Sequence, residues 1–194
     1  MLGIPLGLAV ANVSEWFAHK YILHGLGKNP DSFWSFHWHE HHRNVRRNDH
    51  EDEAYRGSLL RWNGQTKEAL ALVATAIAVA PLFPVAPFFI GTLWYSAANY
   101  YRTHRRSHLD PAWAREHLPW HYDHHMGPDQ HKNWGVTRPW FDHLMGTRVP
   151  YVGTELEKQD RERREKSKAR REAAKAEAAN ASPEKAPDSD LEAA

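Results

Sequence analysis

The chain has 194 residues, no cysteine, and 25 Lys+Arg against 24 Asp+Glu. Thiolate metal sites, iron–sulfur clusters and disulfides are thereby excluded, and so even a charge balance gives no case for nucleic acid as a partner. All 15 His and 9 Trp precede Thr154, after which the sequence is mostly Lys, Arg, Glu, Asp and Ala with almost no large apolar residues; it reads as one domain over residues 1–153 and a charged tail over 154–194.

Met1–Ser14 is uncharged and runs into Glu15-Trp16-Phe17-Ala18-His19. It has no basic n-region and no small-residue cleavage site, so it reads as the start of a helix that stays rather than a cleaved signal. It is shorter than the roughly 20 residues that span a bilayer, which suits a short span, an interfacial helix or a span clipped by a misassigned start. Asn29-Pro30-Asp31 marks a turn, Phe33–Arg47 a helix, and the polar run Asn48–Gln65 a loop.

Ala69–Ala98 is 30 residues without a charge, interrupted by Pro81, Pro84 and Pro87. As one straight helix it would extend about 45 Å, too long for a single crossing of a ~30 Å core and too short for two full spans. The central prolines therefore predict a helical hairpin with a tight turn. The rival reading, a buried helix pair in a soluble protein, leaves few other apolar runs to pack against it. A hairpin also returns the chain to the side it came from, so histidines before and after it can share a site. Lys20, Lys28, Arg43, Arg46 and Arg47 precede it, and Arg102, Arg105 and Arg106 follow it; by the positive-inside rule that side is cytoplasmic. Trp94, Tyr95, Tyr100 and Tyr101 fall where an interfacial aromatic belt would lie. The fold class is all-α: an integral membrane helical bundle with a cytoplasmic, histidine-rich metal-binding cap.

Four tight histidine clusters flank the hairpin. They are His19 and His24; His37, His39, His41 and His42; His104 and His108; and His121, His124 and His125. Neutral imidazole is the commonest metal-donating side chain, and one metal rarely takes more than four protein ligands, so two adjacent metals is the natural count. His104/His108 and His37/His41 are four apart, and His121, His124 and His125 follow i, i+3, i+4 spacing, each set on one helical face. His19 and His24 are five apart and diverge by about 140° on a regular helix. Either each serves a different metal, or the helix loosens before Gly25-Leu26-Gly27. His50, isolated, reads as an ordinary satisfied polar residue. His117, His131 and His143 read as supports for a ligand or as pocket residues.

Imidazole suits Zn, Cu, Fe and Ni. Structural zinc needs only four ligands and usually includes Cys, and hydrolytic zinc sites typically include carboxylates. Iron at a membrane surface, poised for O₂, fits a histidine-only set better.

These segments resemble the fatty acid hydroxylase/sterol desaturase superfamily of membrane-bound, histidine-box oxygenases. The matching boxes are His19-x4-His24, His37-x3-His41-His42, His104-x3-His108 and His121-x2-His124-His125. Asn133-Trp134-Gly135-Val136-Thr137 and Trp140-Phe141-Asp142-His143-Leu144-Met145-Gly146-Thr147 are similar to the family's closing stretch, and the likeness covers about Val13–Tyr151. His19-Lys20-Tyr21-x-x-His24-Gly25 is also similar to carotenoid hydroxylases of that superfamily.

The resemblance implies a dinuclear centre of two Fe ions (Zn in a purified protein being possible) and O₂- and electron-dependent hydroxylation or desaturation of a lipid alkyl chain. Carried over box by box, its metal ligands are His19, His24, His37, His41, His42, His104, His108, His121, His124 and His125. In the second box Trp38 stands where the commoner spacing places a histidine, which leaves His37 and His39 as alternatives. Asp123, Glu40 and Glu15 are the expected acceptors for ring N–H groups. The substrate would be a lipid within the bilayer, and electrons would come from a separate donor protein, since no fused cytochrome or flavin domain is visible. Rival functions are a carotenoid or sterol-type hydroxylase, or a non-redox zinc-binding membrane hydrolase. In the tail, Glu155–Ala179 reads as a solvated helix and the remainder, with Ser182-Pro183 and Ala186-Pro187, as disordered.

Overall fold

The structure is a computed structural model that describes residues 2–181; the predicted disordered segment from Ser182 onward lies outside the described residues. Every regular element among them is helical, and no strand is present. The chain divides into two units, Met1–Val152 and Gly153–Ala194.

In the first unit, helix α1 (Gly3–Phe17) continues without a break into a π-helical segment, Ala18–Leu23. A second π-helical segment, His37–His41, continues into α2 (His42–Arg47). Helices α3 (Gly64–Val79), α4 (Pro87–Leu109), α5 (Pro111–His117), α6 (Pro119–Met126) and α7 (Trp140–Leu144) follow. Their starts are written in the sequence. Asn63 caps α3 by accepting the Thr66 N–H, Asp110 caps α5 by accepting the Trp113 N–H, and a proline opens each of α4, α5 and α6, where a missing N–H costs no helical bond.

The uncharged stretch folds as a helical hairpin. A 3₁₀ turn, Ala80–Leu82, reverses the chain at the prolines. Phe83 stacks on Trp94 at 5.1 Å between ring centres, and Trp94 Nε1 donates to Ala76 O at 3.0 Å, tying α4 back onto α3. No helix among the described residues is long and apolar enough to cross a membrane, which corrects the expectation of a transmembrane helix. The reason is where the chain breaks. The 16 residues of α3 extend about 24 Å, short of a ~30 Å core, and the last turns of α4 carry Arg102, His104, Arg105, Arg106 and His108.

Helix α1 lies directly against α4. A Cβ at Gly7 would sit 2.8 Å from Thr92 Cβ, and one at Gly3 2.9 Å from Phe89 N, so both positions need glycine for the backbones to approach. The faces turned away from these contacts expose Leu6, Val73, Ile77, Val85, Phe88 and Tyr95. At the other end, Val45, Ala114, Tyr122, Met126 and Tyr151 form a small apolar core under α2, α5 and α6.

The segment after α6 is strapped to α1 by polar side chains. Glu15 accepts from Val136 N–H, Thr137 N–H and Thr137 Oγ1–H. Asn12 donates to Arg138 O at 2.8 Å and accepts from Phe141 N–H at 3.0 Å. Buried Asp142 accepts from Trp134 N–H, Gly135 N–H and Thr147 Oγ1–H.

The second unit is helix α8, Glu155–Ala181. Thr154 Oγ1 accepts the Glu157 N–H at its start, and Arg163–Asp160 (2.6 Å) is among its short-range ion pairs. Such exposed pairs contribute a few tenths of a kcal/mol each, so α8 rests on Ala, Glu, Lys and Arg propensity.

Candidate metal centre

Local backbone geometry decides which histidines meet. A π-turn closes i→i+5 hydrogen bonds, so residues five apart stack on one face. His24 N–H donates to His19 O at 2.9 Å and His42 N–H donates to His37 O. The first bond settles the alternative left open by the five-residue box: the helix loosens, and His19 and His24 face the same centre. The second corrects the expected His37/His41 pairing, because His37 pairs with His42 instead.

The rings gather into two adjoining groups. His19, His24, His37, His42 and His124 form the first; His41, His104, His108 and His125 form the second; all are buried. His121 stands beside the second, its Nε2 3.1 Å from His108 Nε2. All ten predicted positions are thus brought together. His39 is not among them: its Nε2 donates to Lys28 O at 3.0 Å, away from both groups. His50 departs from its reading as an ordinary residue. It is fully buried, stacks on His108 at 4.8 Å between ring centres, and forms a trio with His108 and His121. His117 and His143 are exposed. His131, also exposed, stacks on Trp38 beside His24.

The distances fit metal ions. In the first group Nε2 atoms stand 3.0 Å apart for His19–His37 and His24–His42, and 3.2 Å for His37–His42, His24–His124 and His42–His124. Two nitrogens about 2.1 Å from one ion, at right angles, lie about 3.0 Å apart. Tautomers sharpen the point. With both rings in the neutral form that binds metal, donation of His104 Nδ1–H to Glu68 Oε1 at 2.7 Å and of His108 Nδ1–H to His50 O at 3.0 Å leaves their Nε2 atoms, 3.2 Å apart, presenting only lone pairs to each other. A cation turns that repulsion into attraction. His41 Nε2 and both His125 nitrogens are buried with no protein partner, as a donor set waiting on a metal requires.

The electrostatics agree. Burial, reinforced by neighbouring imidazoles, pushes His19, His37, His42, His108, His121 and His125 well below the ordinary histidine range. Burial takes His124 down to about 3, against the opposing effect of its bond to Lys132. Neutral rings are the metal-binding form.

Each group is oriented from behind. In the first, His19 Nδ1–H donates to Trp134 O and His124 Nδ1–H to Lys132 O, both at 2.7 Å, and the Gln130 amide lies 2.9 Å from His42 Nδ1. In the second, His41 Nδ1–H donates to Asp52 Oδ2 at 2.8 Å, while Glu68 accepts from both His104 and the Tyr55 hydroxyl. The expected acceptors Asp123, Glu40 and Glu15 do other work. Asp123 pairs with Arg148 and accepts the Val152 N–H, Glu40 is exposed, and Glu15 holds the Val136–Thr137 backbone. Glu68 carried one usable signal, as the last charge before the uncharged stretch; Asp52 sits among other acids in a polar loop and carried none.

A cavity of about 390 Å³ lies between α1, α3 and α4. Val10, Ala11, Ile22, Leu72, Leu93 and Ala97 are among its walls, and His19, His37, His104 and Glu68 line the polar part. A family model described as fatty acid hydroxylase matches residues 4–147. No curated protein and no solved structure matches the chain.

Proposed function

Because the chain belongs to the fatty acid hydroxylase family, we propose that it is a membrane-bound, O₂-dependent oxygenase that hydroxylates or desaturates the alkyl chain of a lipid at two histidine-held iron ions. The observation that carries this reading is the apolar cavity whose walls include His19, His37 and His104. A cavity of this size and lining suits a small, mostly apolar ligand, and an alkyl chain needs no polar recognition along its length. His19, His24, His37, His42 and His124 would hold one ion and His41, His104, His108, His121 and His125 the other. Bound iron would supply the activation of O₂. The protein's own part is to keep the rings neutral and aimed, to shed water from the cavity, and to hold one stretch of the chain beside the metals.

The exposed apolar side chains of α1, α3 and α4 support insertion of this end into the cytoplasmic leaflet, with the histidines at its surface and no helix crossing. Substrate would then enter from the bilayer, and a separate protein would deliver electrons.

The test is mass spectrometry of lipids from expressing cells grown under ¹⁸O₂ with a co-expressed electron donor, using His124→Ala/His125→Ala as control. One heavy oxygen gained only with the intact chain establishes hydroxylation; loss of two hydrogens without label establishes desaturation. No change in either, with zinc in the purified protein, overturns the oxygenase reading in favour of a zinc hydrolase.

A further inference from the structure

Carboxylates aim only one of the two histidine groups. In the first group, among the described residues, the contacts to ring Nδ1 atoms come from neutral groups: the backbone carbonyls of Trp134 and Lys132 and the Gln130 amide. In the second, His41 donates to Asp52 and His104 to Glu68, both carboxylates nearly fully buried. These anions are built in. Asp52 also accepts the Ala54 N–H and Glu68 the Tyr55 hydroxyl.

The loop that supplies Asp52 is bent for the purpose. Asp49 and His50 adopt left-handed backbone angles, φ 52° and 78°, which non-glycine residues avoid. That bend turns His50 O toward His108 Nδ1 and brings Asp52 N–H to His108 O at 3.1 Å.

A carboxylate behind a ligating histidine raises the basicity of the ring and offsets the charge of the ion; removing such a partner costs 10–100-fold in metal affinity. We infer that the two metal positions are unequal by construction: the position of His41, His104, His108, His121 and His125 retains its ion, and the position of His19, His24, His37, His42 and His124 exchanges it. Asp52 and Glu68 are the positioning residues that create the difference. The inference rests on the dinuclear reading above.

The experiment is metal retention, not turnover. Full-length protein, purified in detergent and loaded anaerobically with Fe(II), is equilibrated with rising EDTA, and iron per chain is measured by mass spectrometry of the metal. Two iron per chain should leave in two steps separated by at least about tenfold in free chelator. His124→Ala should abolish the weak step alone. Asp52→Asn and Glu68→Gln should each move the strong step toward the weak one by about tenfold, while retaining the ring contact. Gln130→Glu, which sets a carboxylate behind His42, should strengthen the weak step, and it keeps the test informative should the loss variants misfold. Release of both ions in one step, or Asp52→Asn and Glu68→Gln displacing only the weak step, overturns the inference. Fewer than two iron per loaded chain overturns the dinuclear reading itself.

Discussion

His42 donates its backbone N–H to the carbonyl of His37, five residues back, and this single π-turn puts those two rings in one group while the intervening His41 serves the other. A regular α-turn would have paired His37 with His41 and aimed His42 elsewhere. His39, inside the same turn, is directed at Lys28 O. His37→Ala should therefore lower bound metal by about one ion per chain and abolish lipid product. His39→Ala should leave both within about twofold. Metal analysis of the two purified variants distinguishes them, and equal loss from both would mean that the turn is misassigned.

Asp142 is the knot of the closing segment. Its carboxylate is fully buried and accepts two backbone N–H groups and the Thr147 hydroxyl, and the segment it ties includes Trp134 O, the acceptor for His19. Asp142→Ala leaves the Trp134 and Gly135 N–H groups buried and unpaired, at about 1–3 kcal/mol each. The expected outcome is a loss of about 3 kcal/mol or more and a lowered melting temperature, with metal lost first from the His19 group. A melting temperature within 2 °C of the parent would contradict it, since ~1 kcal/mol already shifts a domain of this size by about 2–4 °C.

Much of this is legible in the sequence, for definite reasons. Helices with prolines or polar caps at their starts, and a hairpin at Pro81–Pro87, follow from local rules that tertiary contacts did not override. The ten box histidines are legible because they cluster in four short runs, most of them at helical spacing. The π-turns are less so, since nothing local in Ala18–Leu23 or His37–His41 disfavours an ordinary α-turn; what accompanies them are contacts distant in sequence, such as His24 with His124. Asp52 is illegible and Glu68 nearly so for the same reason: they reach their rings across 11 and 36 residues, and only the place of Glu68 at the edge of the uncharged stretch marks it. His50 is hidden by its isolation, and only the fold sets it against His108.

Gly7 tests the helix contact that aims the first box. A Cβ there would come within 2.8 Å of Thr92 Cβ and 3.2 Å of Phe89 O. Gly7→Val overpacks the crossing, at about 1–3 kcal/mol. Because α1 runs directly into the π-segment of His19 and His24, the variant should lose thermal stability and some metal together. Unchanged melting would show that α1 and α4 are not in close contact.

The metal-free protein should be acid-sensitive. His50 and His124 have folded pKa values of about 3 against an ordinary 6.5, in both cases chiefly through burial. Below about pH 6.5 the unfolded chain takes up protons that these folded rings refuse. Stability is therefore intact above that pH and falls by ~1.4 kcal/mol per unit for each ring as pH drops toward 3. Thermal melts of metal-free protein at pH 7.5 and pH 5 should differ by many degrees; coincident melts would mean that these rings are not buried in their neutral form.

The cavity separates substrate binding from metal binding. Ala97 lines it from α4, and Ala71 from α3. Neither belongs to a histidine group. Ala97→Trp would fill a large part of the roughly 390 Å³ available without removing a ligand. Lipid product should drop at least tenfold while iron stays at two per chain, and Ala71→Leu should cause a smaller drop that depends on alkyl length. If Ala97→Trp turns over normally with full metal, the alkyl chain reaches the centre by another route and the cavity is only a packing defect between α1, α3 and α4.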